Sequence, residues 1–217
     1  MRKIDKSKIL STVYKNWEKD LETTNQNHPN YDSNAKFYKD VVMNLYHAQG
    51  GLCAYTEMKL MGESEHFHEN LWAKGRYNQP LPKHLGDVEH FAESLKENKG
   101  WLWDNLFMVL NKVNNQKGTK PVSNILKPDH ESYNPYDLLD YSFKEHIFFA
   151  NAKNPNLSQE QLNEINRMID VLGLNFVKDW RKKYVSERIK ALEFGLEPAP
   201  VEEYMTAFEM ARRNLNL

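Results

Sequence analysis

Apolar residues follow a helical period at both ends of the chain and lose it in the middle. A first stripe predicts an amphipathic helix that ends before a polar, proline-containing loop at 23–34. Its apolar positions are Ile9, Leu10, Val13, Tyr14, Trp17 and Leu21. A second stripe predicts another helix, with Asp32 or Ser33 as its N-cap and Gly50-Gly51 at its end. Its apolar positions are Phe37, Val41 and Leu45.

The C-terminal third shows the same helical period. Ser158 and Gln161 have the spacing of a capping box, and Gly173 stands where a helix-ending glycine belongs. Two further helices are predicted, one capped by Asn175 and one with Pro200 in its first turn. The apolar positions of these three helices are Leu162, Ile165, Ile169, Leu172, Val177, Trp180, Tyr184, Ile189, Tyr204, Phe208 and Ala211.

The middle of the chain, from Cys53 to about Pro128, has no helical period. Two runs, 87–91 and 106–110, are short enough for β-strands. Residues 57–84 hold many polar, glycine and proline positions, and loops of this length are usually functional or disordered. An acid and histidine cluster within them is expected to be solvated and not to bind a metal; it consists of Glu63, Glu65, His66, His68 and Glu69. We expect the chemistry in this irregular middle region.

Composition limits the classes of function. The chain has 29 Lys and Arg against 30 Asp and Glu, a net charge of -1, which excludes a histone-like polycation. Any nucleic-acid surface must therefore come from local segregation of charge. The single cysteine, Cys53, excludes an intramolecular disulfide and a multi-cysteine zinc ribbon. Neither a membrane span nor a secretory signal is evident, so we expect a cytoplasmic protein with no membrane partner.

The segment GDVEHF, residues 86–91, holds the first candidate site residues. Glu89 offers an oxygen ligand of the kind that Mg²⁺ or Mn²⁺ prefers. His90 beside it can act as a general base near neutral pH. Asp87 precedes Glu89 by two residues, so the two carboxylates share a face of a regular strand. Asp87 is thus either a further metal ligand or a hydrogen-bond partner of one.

The segment WLWDNLFMVLNKVNNQKGTKP, residues 101–121, holds the other candidates. Asn105 is suited to brace the intervening loop through hydrogen bonds to the backbone. Asn114 offers a second side-chain oxygen ligand, and Lys117, one helical turn further on, could face a phosphate. Between residues 105 and 128 there are four lysines and no acid, a charge distribution that could follow a phosphate backbone.

These motifs, in this order, resemble the HNH endonucleases, whose core is a two-stranded ribbon and a helix gripping one divalent metal (ββα-metal). In that family an acid or His ligand directly precedes the basic His, a middle Asn follows, and a His or Asn on the helix completes the metal site. Glu89-His90, Asn105 and Asn114 match in that order, and the helix segment matches the form N-x-x-K-G.

The resemblance implies a mainly α protein with a small β-hairpin, folded as a single domain. The ββα-metal core would span residues 50–128, with residues 57–84 as an inserted loop. Helices at 1–49 and a helical part at 129–217 would flank it.

One HNH branch is especially similar, because the segment 51–57, GLCAYTE, looks like its G-x-C-A-Y-C-E opening. The branch includes the HNH partner of ATPases in Septu-type and retron-associated anti-phage systems. Its members often carry a buried or near-buried Arg after a segment like 172–175, as Arg181 or Arg188 would be here. They commonly hold a structural zinc by two Cys pairs, of which only Cys53 remains. We infer that apolar packing has replaced that zinc, with Thr56, Asn111 and Val113 among the positions concerned.

The resemblance implies hydrolysis of phosphodiester bonds, with DNA as the expected substrate and one Mg²⁺ or Mn²⁺ ion. Its metal ligands would be Glu89, Asn114 and Asp87, and its catalytic residues would be His90, Asn105 and Lys117. A role in anti-phage defence is also implied, with an ATPase partner or a homo-oligomer. Two alternatives stay open: a non-catalytic HNH-fold module that binds nucleic acid or a partner protein, and a helical adaptor whose centre is only a loop.

Overall fold

The computed structural model describes residues 1–62 and 64–217, so Glu63 of the acid and histidine cluster lies outside the described residues. The described chain is mainly helical and carries small antiparallel two-stranded sheets, as the sequence predicts. The helices are α1 Thr12–Thr23, α2 Tyr38–Gln49, α3 Lys96–Lys99, α4 Asn111–Lys117, α5 Pro135–Leu138, α6 Gln159–Val171, α7 Lys178–Glu193 and α8 Met205–Asn214. The strands are β1 Trp72–Ala73, β2 Arg76–Tyr77, β3 Gly86–His90, β4 Leu106–Leu110, β5 Leu139–Ser142 and β6 Ile147–Ala150. In this described part of the chain, no helix is both long and apolar enough to cross a membrane.

The two predicted strands of the middle region are confirmed and form an antiparallel pair. β3 and β4 run in a register that places Gly86 opposite Leu110 and His90 opposite Leu106. β4 is buried along its whole length, as expected for a short continuous apolar run. α4 follows β4 without a connecting loop and contacts both strands. Strand, strand and helix therefore form one compact ββα unit.

The C-terminal part contains a second antiparallel pair, β5–β6, which the sequence analysis did not predict. His146 ends the turn between these strands with a φ of 56°, a left-handed conformation that usually belongs to glycine. β6 packs on α6, and β5 packs on α8. The capping box of α6 is confirmed, because the side chain of Ser158 accepts from the backbone of Gln161 and the Gln161 side chain accepts in return.

Three predicted helix starts are wrong. α2 begins well after Asp32 and Ser33, and it has no side-chain cap. Asn175 does not cap α7; its side chain instead bonds the backbone of Phe148 in β6. Pro200 lies ahead of α8, which begins five residues later. The Asp32 side chain accepts from the nearby backbone N–H of Asn34, and the backbone oxygen of Pro200 accepts from Arg188 of α7, so these groups are used in a turn and in a tertiary contact.

One continuous cluster of buried apolar side chains joins the N-terminal helices, the ββα unit and the C-terminal elements. Polar contacts reinforce these connections. Within the predicted inserted loop, β1–β2 forms a short pair, and the backbone N–H of Tyr77 donates to Asp40 in α2 at 2.9 Å. The carboxylate of Glu57 accepts from the backbone N–H of Thr206 in α8 at 2.9 Å. These two contacts attach the region 57–84 to α2 and to α8.

Candidate functional site

β3 places two of the predicted site residues, Glu89 and His90, on opposite faces of the strand pair. Consecutive residues of a strand point to opposite faces, and the contacts follow this rule. Glu89 contacts Lys117 at the end of α4. The ring of His90 lies on the other side, against Tyr31 from the N-terminal region. The two adjacent candidates therefore have different surroundings.

Glu89 lies in a closed, charge-matched environment. One carboxylate oxygen, Oε1, is 2.6 Å from the Nζ atom of Lys117, and both side chains are 1% exposed. The hydroxyl of Tyr55 donates to the other oxygen, Oε2. Burial raises the pKa of Glu89, and the ammonium of Lys117 and the Tyr55 hydroxyl partly offset that rise. Lys117 also donates to the backbone oxygen of His90 at 3.1 Å, so it contacts Glu89 and the strand instead of facing solvent.

His90 is buried, with 3% of its surface exposed. Its Nε2 atom lies 2.9 Å from the backbone oxygen of Gly100. Because a carbonyl only accepts, Nε2 carries the hydrogen, which leaves Nδ1 to accept a proton. Burial lowers the pKa of His90; the hydrogen bond to Gly100 and the charge of Glu93 offset part of that change, the charges of Lys96 and Lys117 add to it, and the neutral form is favoured. A neutral imidazole with one accepting nitrogen is the form that a general base requires.

A segment from the N-terminal region, residues 24–37, closes over His90; we call it the cover segment. The ring of Tyr31 meets that of His90 edge to face at a centroid distance of 4.8 Å. The backbone N–H of His28 donates to the backbone oxygen of Asn98 at 2.8 Å. The backbone N–H of Trp101 donates to the His28 ring at 3.1 Å. The cover segment is thus bound to the loop that also supplies the hydrogen-bond partner of His90.

Asn105 braces the loop between β3 and β4, as its sequence position predicts. Its Oδ1 atom accepts from the backbone N–H of Ala92 at 2.8 Å, and its Nδ2 atom donates to the Ala92 oxygen at 3.1 Å. The backbone oxygen of Asn105 accepts from Phe91 at 2.8 Å. These contacts set the path of the chain immediately after His90.

Asp87 and Glu89 share the face of β3 that is directed towards α4. Asp87 accepts from the side chain of Asn111, the first residue of α4, at 2.5 Å. Asn111, Asn114 and Lys117 are spaced by three residues and so lie along one side of α4. The half-buried Asn114 side chain makes no hydrogen bond within the described residues. Asp87 and Glu89 are therefore brought to the predicted helix face, while His90 is not.

The predicted ligands are of the right chemical type for Mg²⁺, since they are carboxylate and amide oxygens. Their arrangement does not fit a resident divalent ion. Lys117 already supplies the positive charge beside Glu89, and Tyr55 engages the second oxygen. Among the described residues, no three His, Cys, Asp or Glu side chains form a group suited to a metal. In this conformation the carboxylate of Glu89 is an ion-pair partner.

Two residues that contact the site were not identified from the sequence as functional. Tyr55 lies in the motif that resembles the branch opening, so a signal for it was present. Tyr31 lies in a polar loop and had no such signal. Of the four positions compared with the zinc pairs, Cys53, Thr56 and Val113 are buried, whereas Asn111 is exposed and donates to Asp87 instead of packing in the core.

Comparisons with known proteins identify no relative. No family model matches the chain, and no curated protein or solved structure matches it significantly. The functional argument therefore depends on the residues of the ββα unit and on the contacts they make.

Proposed function

We propose that the protein is a nuclease of the HNH type, which hydrolyses phosphodiester bonds, with DNA as its substrate. The observation that carries this proposal is the ββα unit itself. Glu89 and His90 end its first strand, Asn105 immediately precedes its second strand, and Asn114 lies on the helix that follows. Because strands and helix meet in this order, a helical adaptor with an unstructured centre is disfavoured.

In the proposed reaction His90 is the general base. Its accepting nitrogen, Nδ1, takes a proton from the water that attacks the phosphorus. Asn105 acts as a positioning residue, because it holds Ala92 and with it the loop after His90. Lys117, expected from the sequence to face a phosphate, contacts Glu89 in the structure and holds that carboxylate in place.

Access to His90 requires a second conformation. His90 is 3% exposed, and the cover segment lies over it. A phosphodiester can approach only when this segment moves away from the loop at 98–101. We assign this opening to a partner, either an ATPase or a second copy of the chain, consistent with a role in anti-phage defence. The near-neutral net charge agrees with a partner that contributes to DNA binding.

Plasmid cleavage with added Mg²⁺ or Mn²⁺ tests the proposal. We expect His90→Ala to lower the cleavage rate by about 100-fold or more, the usual contribution of a general base. His68→Ala is the matched control, because His68 is exposed and lies outside the ββα unit. The absence of DNA and RNA cleavage by the wild type, both alone and with the product of a neighbouring gene, would refute the nuclease.

A non-catalytic HNH-fold module is the second candidate. It is favoured by one observation, the burial of both Glu89 and Lys117 as a matched ion pair, which makes a stable structural element without a metal. Such a module would bind DNA or a partner protein with no cleavage under any metal. Wild type and His90→Ala would then bind DNA with the same affinity, and neither would cleave it. For a nuclease, His90→Ala would also retain binding, but only the wild type would cleave DNA.

A further inference from the structure

We infer that the start of α7 and the exposed side of α4 form one binding surface for single-stranded nucleic acid, on which aromatic rings stack against unpaired bases. We call it the α4–α7 surface; it consists of Lys112, Gln116, Lys120, Phe176, Trp180 and Lys183. The inference rests on the proposed function for the class of its ligand, since a nuclease must hold a nucleic-acid strand beside its catalytic unit. It adds a site outside that unit and a preference for unpaired bases.

Two aromatic side chains at the start of α7 remain exposed. Phe176, in the turn before the helix, is 42% exposed, and Trp180, in its first turn, is 50% exposed. Their spacing of four residues is that of neighbours on one side of a helix. Neither ring stacks on another ring or on a cation within the described residues. Both rings therefore offer a face to a ligand, and such exposed apolar surface is typical of interaction sites.

Gly173 brings this aromatic pair close to the ββα unit. A side-chain carbon added to Gly173 would lie 3.3 Å from Cγ1 of Val113 and 3.6 Å from Oε1 of Gln116, both in α4. The same position is 3.7 Å from Cβ of Phe176. Gln116 also donates to the backbone oxygen of Asp170, near the end of α6, at 3.4 Å. The exposed side of α4 and the start of α7 therefore meet at Gly173 and form a continuous surface.

Exposed lysines flank the rings on both sides. Lys112 lies on α4 and Lys120 just after it, where the chain between 105 and 128 contains no acid. On α7, Lys183 follows Trp180 by about one helical turn. None of these three lysines forms an ion pair within the described chain, so each ammonium is available to a phosphate.

Acids border the same surface, and they bear on the kind of strand that it binds. Asp170, Asp179 and Glu187 are exposed on α6 and α7, so phosphate contacts alone give weak binding. Stacking on the two rings must supply much of the affinity, and only an unpaired base has a free face to stack. The composition of the surface therefore favours a single strand over a duplex.

Fluorescence anisotropy with a labelled oligothymidylate of about eight nucleotides, in EDTA and at low salt, tests the surface without cleavage. We expect Trp180→Ala to weaken binding about tenfold, the effect of losing one stacked base, and to change the affinity for a duplex of equal length less than about twofold. Phe194→Ala is the matched control, because Phe194 is 70% exposed at the other end of α7, about 21 Å along the helix axis. Lys183→Gln should lower the slope of log Kd against log salt by about 0.7.

Two results would overturn the inference. One is an equal affinity of wild type and Trp180→Ala for the single strand, or no binding by the wild type. The other is a loss of self-association in Trp180→Ala with unchanged affinity for the oligonucleotide, which would identify the rings as a contact between copies of the protein.

The intrinsic fluorescence of the wild type gives a second test that needs no variant. Every other tryptophan of the described chain is buried or half-buried, so quenching by acrylamide reports mainly on Trp180. Saturation with the oligothymidylate should reduce this quenching, and unchanged quenching would overturn the inference. Because both tests omit the metal, binding that depends on Trp180 in a protein that cuts nothing would uphold this surface and refute the nuclease.

Discussion

Each of the two larger strand pairs packs near a helix that buries one cationic side chain, and the two cations are satisfied differently. Beside β3–β4, the ammonium of Lys117 is matched by the carboxylate of Glu89. Beside β5–β6, the guanidinium of Arg181 donates to the backbone oxygens of His146 at 2.6 Å and Leu174 at 2.7 Å. It also donates to Asn175, and no acid of the described chain forms an ion pair with it.

This difference reflects the shapes of the two cations. Arg181 spreads its charge over a planar fork that fits several carbonyl oxygens and stacks on the ring of Phe148 at 4.8 Å. Lys117 is a compact charge held mainly by one carboxylate. The charge of Arg181 is therefore shared among several acceptors, whereas that of Lys117 depends on a single acid.

The two regions also share a device, an asparagine that holds one residue by both of its backbone groups. Asn105 binds the N–H and oxygen of Ala92 at 2.8 and 3.1 Å. Asn175 binds the N–H and oxygen of Phe148 at 2.8 and 2.9 Å. In each region the side-chain amide makes the two hydrogen bonds that a neighbouring strand would otherwise make. Asn105 does so just after β3, and Asn175 does so at β6.

The largest effect is expected at Arg181. Arg181→Lys should lower the free energy of unfolding by about 4 kcal/mol, because one ammonium cannot reach both carbonyl oxygens and leaves buried acceptors unpaired. Urea denaturation measures this loss. Lys182→Met is the control, since Lys182 is the exposed neighbour on the same helix, and we expect it to change stability by less than about 0.5 kcal/mol. A loss at Arg181 no larger than that of the control would show that its charge is not structural.

The next largest effect on stability is expected at Glu89. Glu89→Gln should cost about 3 kcal/mol, because it leaves the ammonium of Lys117 buried without its counter-charge. The double variant Glu89→Gln with Lys117→Met should be more stable than the sum of the two single losses implies. Denaturation of all four proteins completes the cycle. Additive losses would mean that the 2.6 Å contact contributes no coupling.

The two asparagines should respond in the same direction. Asn105→Ala and Asn175→Ala should each cost about 2 kcal/mol, because each removes two hydrogen bonds from buried or partly buried backbone groups. The loss should be larger at Asn175, which also accepts from Arg181 at 3.0 Å. Only Asn105→Ala should also reduce nuclease activity, since Asn175 lies outside the ββα unit. A reversal of the stability order would contradict the comparison.

The smallest effect concerns a link between the two regions. Arg167 of α6 donates to the backbone oxygen of Pro121, beyond α4, at 2.9 Å and pairs with Glu164 at 2.6 Å. That hydrogen-bonded partner lowers the pKa of Glu164 to about 2. Glu164→Gln should cost about 0.5 kcal/mol at pH 7, since both side chains are partly exposed. Because the folded pKa is below the ordinary 4.5, the difference between wild type and variant should shrink as pH falls from 4.5 through about 2. A difference that is as large at pH 2 as at pH 7 would exclude the ion pair as its cause.

The sequence predicts those parts of the fold whose signal is local. The apolar run of β4 and the capping box at Ser158 are complete within a few residues, and both predictions are confirmed. The pair β5–β6 was missed because its turn contains no glycine or proline. His146 takes the left-handed conformation there, and its side chain bonds the hydroxyl of Tyr141 at 2.9 Å.

For the candidate site, the sequence predicts the residue types and their order but not their partners. The face shared by Asp87 and Glu89 follows from strand geometry. The inward direction of Lys117 does not, because a lysine on a short polar helix is usually exposed. The contact between Tyr31 and His90 joins residues far apart in the chain, and a polar loop gives no periodic signal for such a contact.

In the proposed function the protein exchanges between a covered and an uncovered state of His90. The cover segment is attached to the loop at 98–101 by hydrogen bonds of His28 and Pro29, and to α1 by the pair of His28 with Glu22, whose carboxylate is partly exposed to solvent and salt. Such contacts would favour the covered state without excluding the uncovered one. A ligand that binds only the uncovered state draws the population towards it in proportion to its preference. The free-energy difference between the covered and uncovered states then sets how strongly a ligand must prefer the uncovered state before His90 is exposed. That difference depends on how tightly the cover segment is bound.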